Sequence, residues 1–451
     1  MNTQIVSSRW LVENDKRLDS KSYLNEGRLS HIKMLKSPYR IEKLNTLAKD
    51  IFNGARFKRY YVENEDHGIS FMGSSDMLKL HINDLKDISK KYTKNINKLL
   101  LEKDWILISC SGTIGNTVYT NQDFVGKTAS QHVMRVIPNN IVKSGFLYAY
   151  LTSKYGYSFL TQGTYGAVIQ HIEPQHIKNI PIAVFPENKQ LFIHDLISES
   201  SNLRVEANNL LLNVISVFED NLNKPKVLKG FKFDTISSKK IFEFHKRFDS
   251  QYHVLWKSIK EEYTDVQYTR LSDLASNIFV GGRGKRMYVK KGVPFLSSSD
   301  MMLFNPVRLC KKVSSNTHGI NQMKVNKYDI LISRSGTVGN TVLVGDSLKG
   351  VAVSEHALRL IIDKNKISPN YVYAYLKTKI GIKKMEASSF GSVIITLNED
   401  LIGNIEIPIF SIDIQAYICE KIDLYLMKMD LATMKENQAI DLIEKEIDSW
   451  Q

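Results

Sequence analysis

Two six-residue runs, Ser111-Gly112-Thr113-Ile114-Gly115-Asn116 and Ser335-Gly336-Thr337-Val338-Gly339-Asn340, hold the residue types that a polyanion-binding turn needs. Glycine permits a tight turn and close approach to the backbone, while hydroxyls and amide N–H groups can meet phosphate oxygens. The same letters also describe a plain β-turn. A second pair, Arg56-Phe57-Lys58-Arg59-Tyr60-Tyr61 and Arg283-Gly284-Lys285-Arg286-Met287-Tyr288, sets cations among aromatics on a presumed loop. Lysine and arginine there can neutralise phosphates, and arginine can grip a guanine edge with two hydrogen bonds. A basic loop that is merely solvated has the same composition. Arg334 stands where the first run has Cys110, so it adds a cation to one copy only.

Catalytic chemistry is not legible in the chain. It has no Pro-Pro pair and so lacks the Asx/Ser-Pro-Pro-aromatic loop of DNA amino-methyltransferases. Phe279-Val280-Gly281-Gly282-Arg283-Gly284 fits neither a dinucleotide fingerprint nor a P-loop. Glu187-Asn188-Lys189 has the Glu-x-Lys form of nucleases but no aspartate shortly before it, and the 11 histidines include no His-Glu-x-x-His. His132 and His356 recur at equivalent places, and a buried, hydrogen-bonded structural role is expected for both. No metal site and no bound cofactor are expected.

The elements that must position these residues come in duplicate. Ile106–Val118 and Ile330–Val342 agree at 11 of 13 positions, at an offset of 224. The agreement extends to Gly54/Gly281, Ser130-Gln131-His132/Ser354-Glu355-His356, Arg135/Arg359, Tyr148-Ala149-Tyr150-Leu151/Tyr373-Ala374-Tyr375-Leu376 and Gln190/Gln415. A period this long is a tandem of whole domains, far above the repeat of a solenoid. Short apolar runs ending in Ser-Gly turns, such as Trp105–Ser109 and Asp329–Ser333, read as strands, as do Val133–Ile137 and Ala357–Ile361. Phe146–Tyr155 and Tyr371–Ile380 read as short helices. Each copy is therefore mixed α/β (α+β).

After each copy the pattern changes to a long helical period. Ile193, Leu196, Ser200, Leu203, Ala207, Leu210, Val214 and Val217 step by three and four. So do Cys419, Ile422, Leu426, Met429, Thr433, Glu436, Ile440, Ile443, Ile447 and Trp450. Such stripes predict two helices that pair antiparallel as a coiled coil, each about 45 Å long for about 30 residues. An ordinary amphipathic helix lying on its own domain would show the same stripe. Asn221–Lys240, with Pro225 and Gly230, reads as the return connection.

Charge separates these regions. The net charge is +14, yet Glu187–Pro225 is net −3 and Ser411–Gln451 net −5, which leaves +22 on the rest. Positive charge confined to the repeated domains is the footprint of a polyanion partner. A lysine-rich solvated surface is the plainer alternative. Hydrophobic content of 43% and charged content of 24% are those of a globular protein. Three cysteines without a C-x-x-C pair, no signal-like start and no long apolar run lead us to expect free thiols, a cytoplasmic protein and no membrane span.

Arg17-Leu18-Asp19-Ser20 and Arg247-Phe248-Asp249-Ser250 pair up, as do the Ser-Gly-Thr-x-Gly turns. Gly166-Ala167-Val168-Ile169 and Gly391-Ser392-Val393-Ile394 precede Asn179-Ile180-Pro181-Ile182-Ala183 and Asn404-Ile405-Glu406-Ile407-Pro408. This arrangement resembles the specificity (S) subunits of type I restriction–modification systems, the HsdS family, over essentially the whole chain. The resemblance implies two target-recognition domains, each followed by a long helix, the helices forming an antiparallel spacer. On this sequence the domains would be residues 1–186 and 226–410 (with the linker), and the spacer helices 187–225 and 411–451. It implies a non-catalytic subunit that reads a bipartite duplex DNA target, the helices setting the gap. Methyltransferase (M) subunits that methylate adenine and a restriction/translocase (R) subunit would be its partners. S-adenosylmethionine, Mg and ATP would belong to those partners. The Ser-Gly-Thr turns carry over as backbone contacts; base-reading residues do not. A specificity subunit of a type IIB or other methylation-linked phage-defence system, or a scaffold without DNA contact, are the other classes open to such a chain.

Overall fold

The computed structural model describes residues 26–63, 65–82, 85–111, 114–162, 171–222, 266–308, 310–335, 338–391 and 395–451, with positions 8, 235, 237–239 and 252–253. The Arg-x-Asp-Ser pair, Gly112-Thr113, Gly336-Thr337, the first Gly-x-Val-Ile run, residues 392–394 of the second, and most of the return connection lie outside these residues. The chain forms two compact units. Unit 1 is Met1–Val205 with Leu431–Gln451, and unit 2 is Glu206–Asp430.

Unit 1 is built on a four-stranded antiparallel sheet of β1 (Ala48–Asn53), β2 (Ile106–Ser109), β3 (Thr117–Tyr119) and β4 (Val133–Pro138), in the order β1-β4-β2-β3. All four residues of β2 are buried, which explains why it reads as an unbroken apolar run and not as an alternation. A second sheet runs in the order Tyr61–Val62, Lys86–Ser89, Gly68–Met72, Thr128–Ala129. Helices α1 (Ser144–Thr152) and α2 (Lys154–Gln162) then pack into the core, with Phe146, Leu147, Tyr148, Tyr150 and Leu151 at most 1% exposed. The expected single helix is thus two, broken at Ser153, whose hydroxyl bonds back to the Tyr150 carbonyl at 2.6 Å.

Unit 2 repeats the plan with β5 (Ala275–Val280), β6 (Ile330–Ser333), β7 (Thr341–Leu343) and β8 (Ala357–Ile362) in the order β5-β8-β6-β7. Its second sheet joins Lys311–Val313, Tyr288–Leu296 and Ala352–Val353, and α4 (Pro369–Leu376) and α5 (Lys379–Ser388) follow. In each unit the strand at the Asn-Ile-x-Ile run pairs with one near the unit's start, Pro181–Ala183 with Ile41–Lys43 and Glu406–Pro408 with Tyr268–Arg270.

The long helices α3 (Glu187–Asn221) and α6 (Ile412–Asp448) start alike. Gln190 Nε2 donates to the Phe185 carbonyl at 2.7 Å, and Gln415 Nε2 to that of Phe410 at 2.8 Å. Within unit 1, α3 and α6 lie antiparallel, with Lys189–Glu446 and Lys435–Glu199 pairs at 2.7 Å and the Ser200 hydroxyl on the Ala432 carbonyl at 2.7 Å. Within unit 2, Lys428 meets Glu206 at 2.6 Å and Phe218 packs its ring on Tyr371, Tyr375 and Phe410.

On α6 every stripe residue from Ile422 to Ile447 is buried, as is Trp450 just past its end. On α3 the seam differs from the expected one. Ser200, Ala207 and Val214 are buried, but the residues that accompany them are Leu211 and Phe218, which are buried, and Arg204, which is half-buried with a side chain 14% exposed. Leu203, Leu210 and Val217 are half-buried. The reason is chemical. Arg204 belongs to the seam because Glu436 (2% exposed) meets its guanidinium at 2.7 Å, and the Tyr148 hydroxyl donates to the same carboxylate at 2.5 Å. Hydrophobicity alone moves the stripe off a charged residue.

Lys384 gives unit 2 a testable weakness. Its side chain lies 4% exposed in α5, with Nζ 2.8 Å from the Glu406 carbonyl and over the Tyr268 and Tyr375 rings. Burial pushes its ammonium down to about 8, against a weaker opposing pull from Glu406. The folded state therefore binds fewer protons than the unfolded one from about pH 8 up to the ordinary lysine range, and stability rises with pH across that window. Unit 1 has Phe159 at the equivalent place. Lys384→Phe should stabilise unit 2 by about 3 kcal/mol at pH 7 and progressively less as the pH passes 8. Thermal melts at pH 7 and pH 10 check this, and an equal gain at both would remove the assigned cause.

Candidate nucleic-acid interface

In each unit three segments distant in sequence converge, two turns tied by backbone hydrogen bonds and a basic loop attached through its side chains. In unit 1 the Ser130 amide donates to Met72 O at 3.0 Å, which seats the Ser-Gln-His turn on the end of the second sheet. The Cys110 amide donates to His132 O at 3.0 Å, which brings the Ser-Gly-Thr turn to the same place. Unit 2 repeats both bonds, Ser354 N to Leu296 O at 2.9 Å and Arg334 N to His356 O at 3.0 Å. The basic loop is the third segment. Arg59 lies over the Phe71 ring at 5.0 Å and donates to Gln131 Oε1 at 3.2 Å. Arg286 lies over Phe295 at 4.8 Å and pairs with Glu355.

A buried arginine holds the Ser-Gln-His turn from beneath. Arg135 is 0% exposed, and its two terminal nitrogens donate to the carbonyls of Leu99, Ala129, Ser130 and Val133 at 2.6–3.4 Å. Gly54 is needed beside it, because a Cβ there would sit 2.8 Å from the guanidinium. Arg359 takes the place in unit 2, donating to Lys324 O at 2.8 Å and lying over Phe279 at 5.3 Å.

The Ser-Gly-Thr-x-Gly turns are closed by their own amides. Gly115 N donates to Ser109 O at 2.9 Å and Asn116 N to Ser109 Oγ at 3.0 Å, while Gly339 N donates to Ser333 O at 3.1 Å. Gly115 has φ +81° and Gly339 +88°, a region that disfavours residues with a Cβ, and a Cβ on Gly115 would press on Thr161 and Tyr157 at 3.0–3.2 Å. The glycines thus shape the turn. Ser111 and Ser335, at its mouth, are half-buried, as are Asn116 and Asn340. Arg334 is half-buried with Nε on the Leu397 carbonyl at 3.2 Å, whereas Cys110 is 3% exposed and burial raises its thiol to about 11.

The cations of the basic loops point outward. Arg56, Lys58, Arg59, Arg283 and Lys285 are exposed, and Arg286 is half-buried. Lys58 lies over Tyr60 at 5.1 Å, and Tyr60 packs against Tyr92 at 5.6 Å. Lys86 lies over Tyr61 and Lys311 over Tyr288. Lys86, Lys91 and Lys311 thus extend the basic face beyond the sequence-predicted loops, each stacked on a tyrosine. Their signal in the sequence is only that of scattered lysines, since the strand register brings them in.

The histidines depart from expectation. His356 has a side chain 46% exposed, with Nδ1 3.4 Å from Ser335 Oγ, and His132 is half-buried with Nε2 3.1 Å from Gln131 Nε2. They line the mouth of the turn and are not core residues. Burial, then Arg59, His171 and Arg56, hold His132 below the usual imidazole range. Among the described residues no cluster of His, Cys, Asp and Glu could hold a metal ion, and no helix is long and apolar enough to cross a membrane.

The sequence pattern of one family, the type I restriction modification DNA specificity domain, matches residues 43–216 and again 260–442. The chain is 22% identical over 378 residues to the specificity subunit of the type I restriction enzyme MjaVIII from Methanocaldococcus jannaschii, covering 80% of this chain and 81% of that protein. Among solved structures it is similar to the S subunit of a type I restriction–modification system from M. genitalium, with 15% identity, a TM-score of 0.32 and coverage of 91% and 95% of the two chains. The HsdS subunit from Thermoanaerobacter tengcongensis gives 13% identity, a TM-score of 0.28 and coverage of 92% and 98%.

Proposed function

This chain belongs to the family of type I restriction–modification specificity subunits, and from that premise we propose that each unit reads one half of a bipartite duplex DNA target. The observation that carries this is the repeated convergence of an exposed arginine–lysine–tyrosine loop with a polar turn. It occurs in a chain whose positive charge lies outside the long helices. Phosphate contacts would fix register, and the loop side chains would meet base edges. The contact residues in this reading are Arg56, Lys58, Arg59, Ser111 and Asn116 in unit 1, and Arg283, Lys285, Arg286, Arg334, Ser335 and Asn340 in unit 2. Gly112, Thr113, Gly336 and Thr337, which lie outside the described residues, belong to the same reading, as do Gly115 and Gly339.

The subunit is non-catalytic in this reading. Methyltransferase subunits carrying S-adenosylmethionine would modify adenine, and a nuclease–translocase subunit using ATP and Mg would cleave. The acidic helices, net −3 and net −5 by segment, suit docking of protein better than DNA. A cytoplasmic location follows from such a task.

The test is salt-dependent binding of the full-length chain to duplex DNA. Arg283→Ala with Lys285→Ala should weaken binding and lower the slope of log K against log salt. Sequence preference in the unit 1 half-site should survive. Equal loss of preference in both half-sites, with the fold intact, would end the two-reader assignment.

A further inference from the structure

We propose that Glu355 decides what its neighbouring arginine reads: paired with Glu355, Arg283 takes a guanine edge, whereas Arg56, in the copy that has the neutral Gln131 at that position, takes a phosphate. This rests on the reading of both units as DNA readers and assigns them different chemistry at one geometric place.

The scaffold is the same in both copies. A loop arginine lies on a phenylalanine (Arg59 on Phe71, Arg286 on Phe295) and reaches the residue between the turn's serine and histidine. Within this contact only that residue changes its charge; at the neighbouring turn Arg334 also replaces Cys110. In unit 2 it is a carboxylate, 14% exposed in its side chain. Burial works against its ionisation, but its own backbone amide, Arg286 and His356 outweigh this and hold it below the usual glutamate range. Arg286 therefore locks the carboxylate in place. The other oxygen faces Arg283 Nε at 3.8 Å, on a side chain 80% exposed. At that distance the contact is an ion pair and not a hydrogen bond, and Arg283 keeps both terminal amino groups for a ligand.

A phosphate approaching Arg283 would meet the Glu355 charge beside it. The O6 and N7 of guanine are neutral acceptors spaced for two parallel arginine N–H groups, so they gain the contact without that repulsion. In unit 1 no such charge is present. Gln131 accepts from Arg59, and among the described residues Arg56 and Arg59 form no ion pair. Besides its burial, Arg59, His171 and Arg56 act on His132, and the two arginines bring positive charge to that mouth. That pocket of positive potential favours an anion.

Selection from a randomised duplex library by the full-length chain, with salt titrations, tests this. The unaltered chain should select one fixed guanine in the half-site read by unit 2. Glu355→Gln should keep binding, lose that preference about tenfold or more, bind unrelated duplex more tightly and steepen the salt slope by about one. Gln131→Glu should do the reverse in charge terms, weakening binding to every duplex and flattening the slope by about one. Arg283→Lys keeps the charge but not the planar fork, so the slope should stay while the guanine preference falls. A Glu355→Gln protein that binds every duplex more weakly, or keeps the guanine, overturns the assignment. An unaltered chain with no salt-dependent DNA binding overturns the DNA-reading function itself.

Discussion

Arg204→Met alone should lower the stability of unit 1 by about 3–5 kcal/mol, because it strands the Glu436 carboxylate in the interior without its cation. Glu436 is 2% exposed, and its partners are Arg204 at 2.7 Å and the Tyr148 hydroxyl at 2.5 Å. Glu436→Leu should cost less, because the half-buried Arg204 side chain retains some solvent exposure. The double variant should recover most of the loss, for a reason visible in the other copy. The residues of unit 2 equivalent to Arg204 and Glu436 are Met429 and Leu211, 8% and 3% exposed, so the same packing works with apolar side chains. Chemical unfolding of the four proteins gives the coupling directly. A double variant no better than either single would mean that the ion pair is not what fits this site.

Arg135→Met should be nearly as damaging and should also reach the reading surface. Four backbone carbonyls lose a charged donor at once. Those of Ser130 and Leu99 keep the amides of Val133 and Ala129, and any other buried acceptor left without a partner costs about 1–3 kcal/mol. The total is expected to exceed about 3 kcal/mol even after relaxation. Arg135→Lys should not rescue it, because one ammonium cannot span carbonyls that a planar fork reaches from two nitrogens. Since Ser130 and Val133 bracket Gln131 and His132, amide exchange in that turn should rise before the rest of unit 1 loosens. Native-like protection of the turn in Arg135→Met would show that the sheet alone holds it.

The duplication made most of the architecture legible, because the same strand and helix patterns had to satisfy two independent cores. Ile106–Ser109 and Ile330–Ser333 are strands as read, and α6 buries its stripe from Ile422 onward. The α3 seam was misplaced through Arg204, whose burial depends on a carboxylate more than 200 residues away. No local pattern carries that. Reading His132 and His356 as core residues failed similarly, since recurrence in two copies is equally consistent with a place at the mouth of a turn. The basic loops were visible from composition, but Gln131 and Glu355 were not singled out. The available signal was a charge change inside an otherwise repeated Ser-x-His triplet. Lys86 and Lys311 join the basic face only through strand register, which composition does not encode.

Unit 1 is discontinuous, closing its core with Ala439, Ile440, Ile443, Ile447 and Trp450 after the chain has passed through all of unit 2. On a ribosome this imposes an order of events. Synthesis at roughly 5–20 residues per second leaves the first unit with an open apolar cleft for on the order of tens of seconds, while the second is being made. The second unit has its whole sequence as soon as Asp430 emerges. It is therefore free to fold first, although its strands are translated last. A nascent chain stalled before residue 431 should expose the cleft that receives Trp450, and there a chaperone or a neighbouring nascent chain would compete with the protein's own final helix.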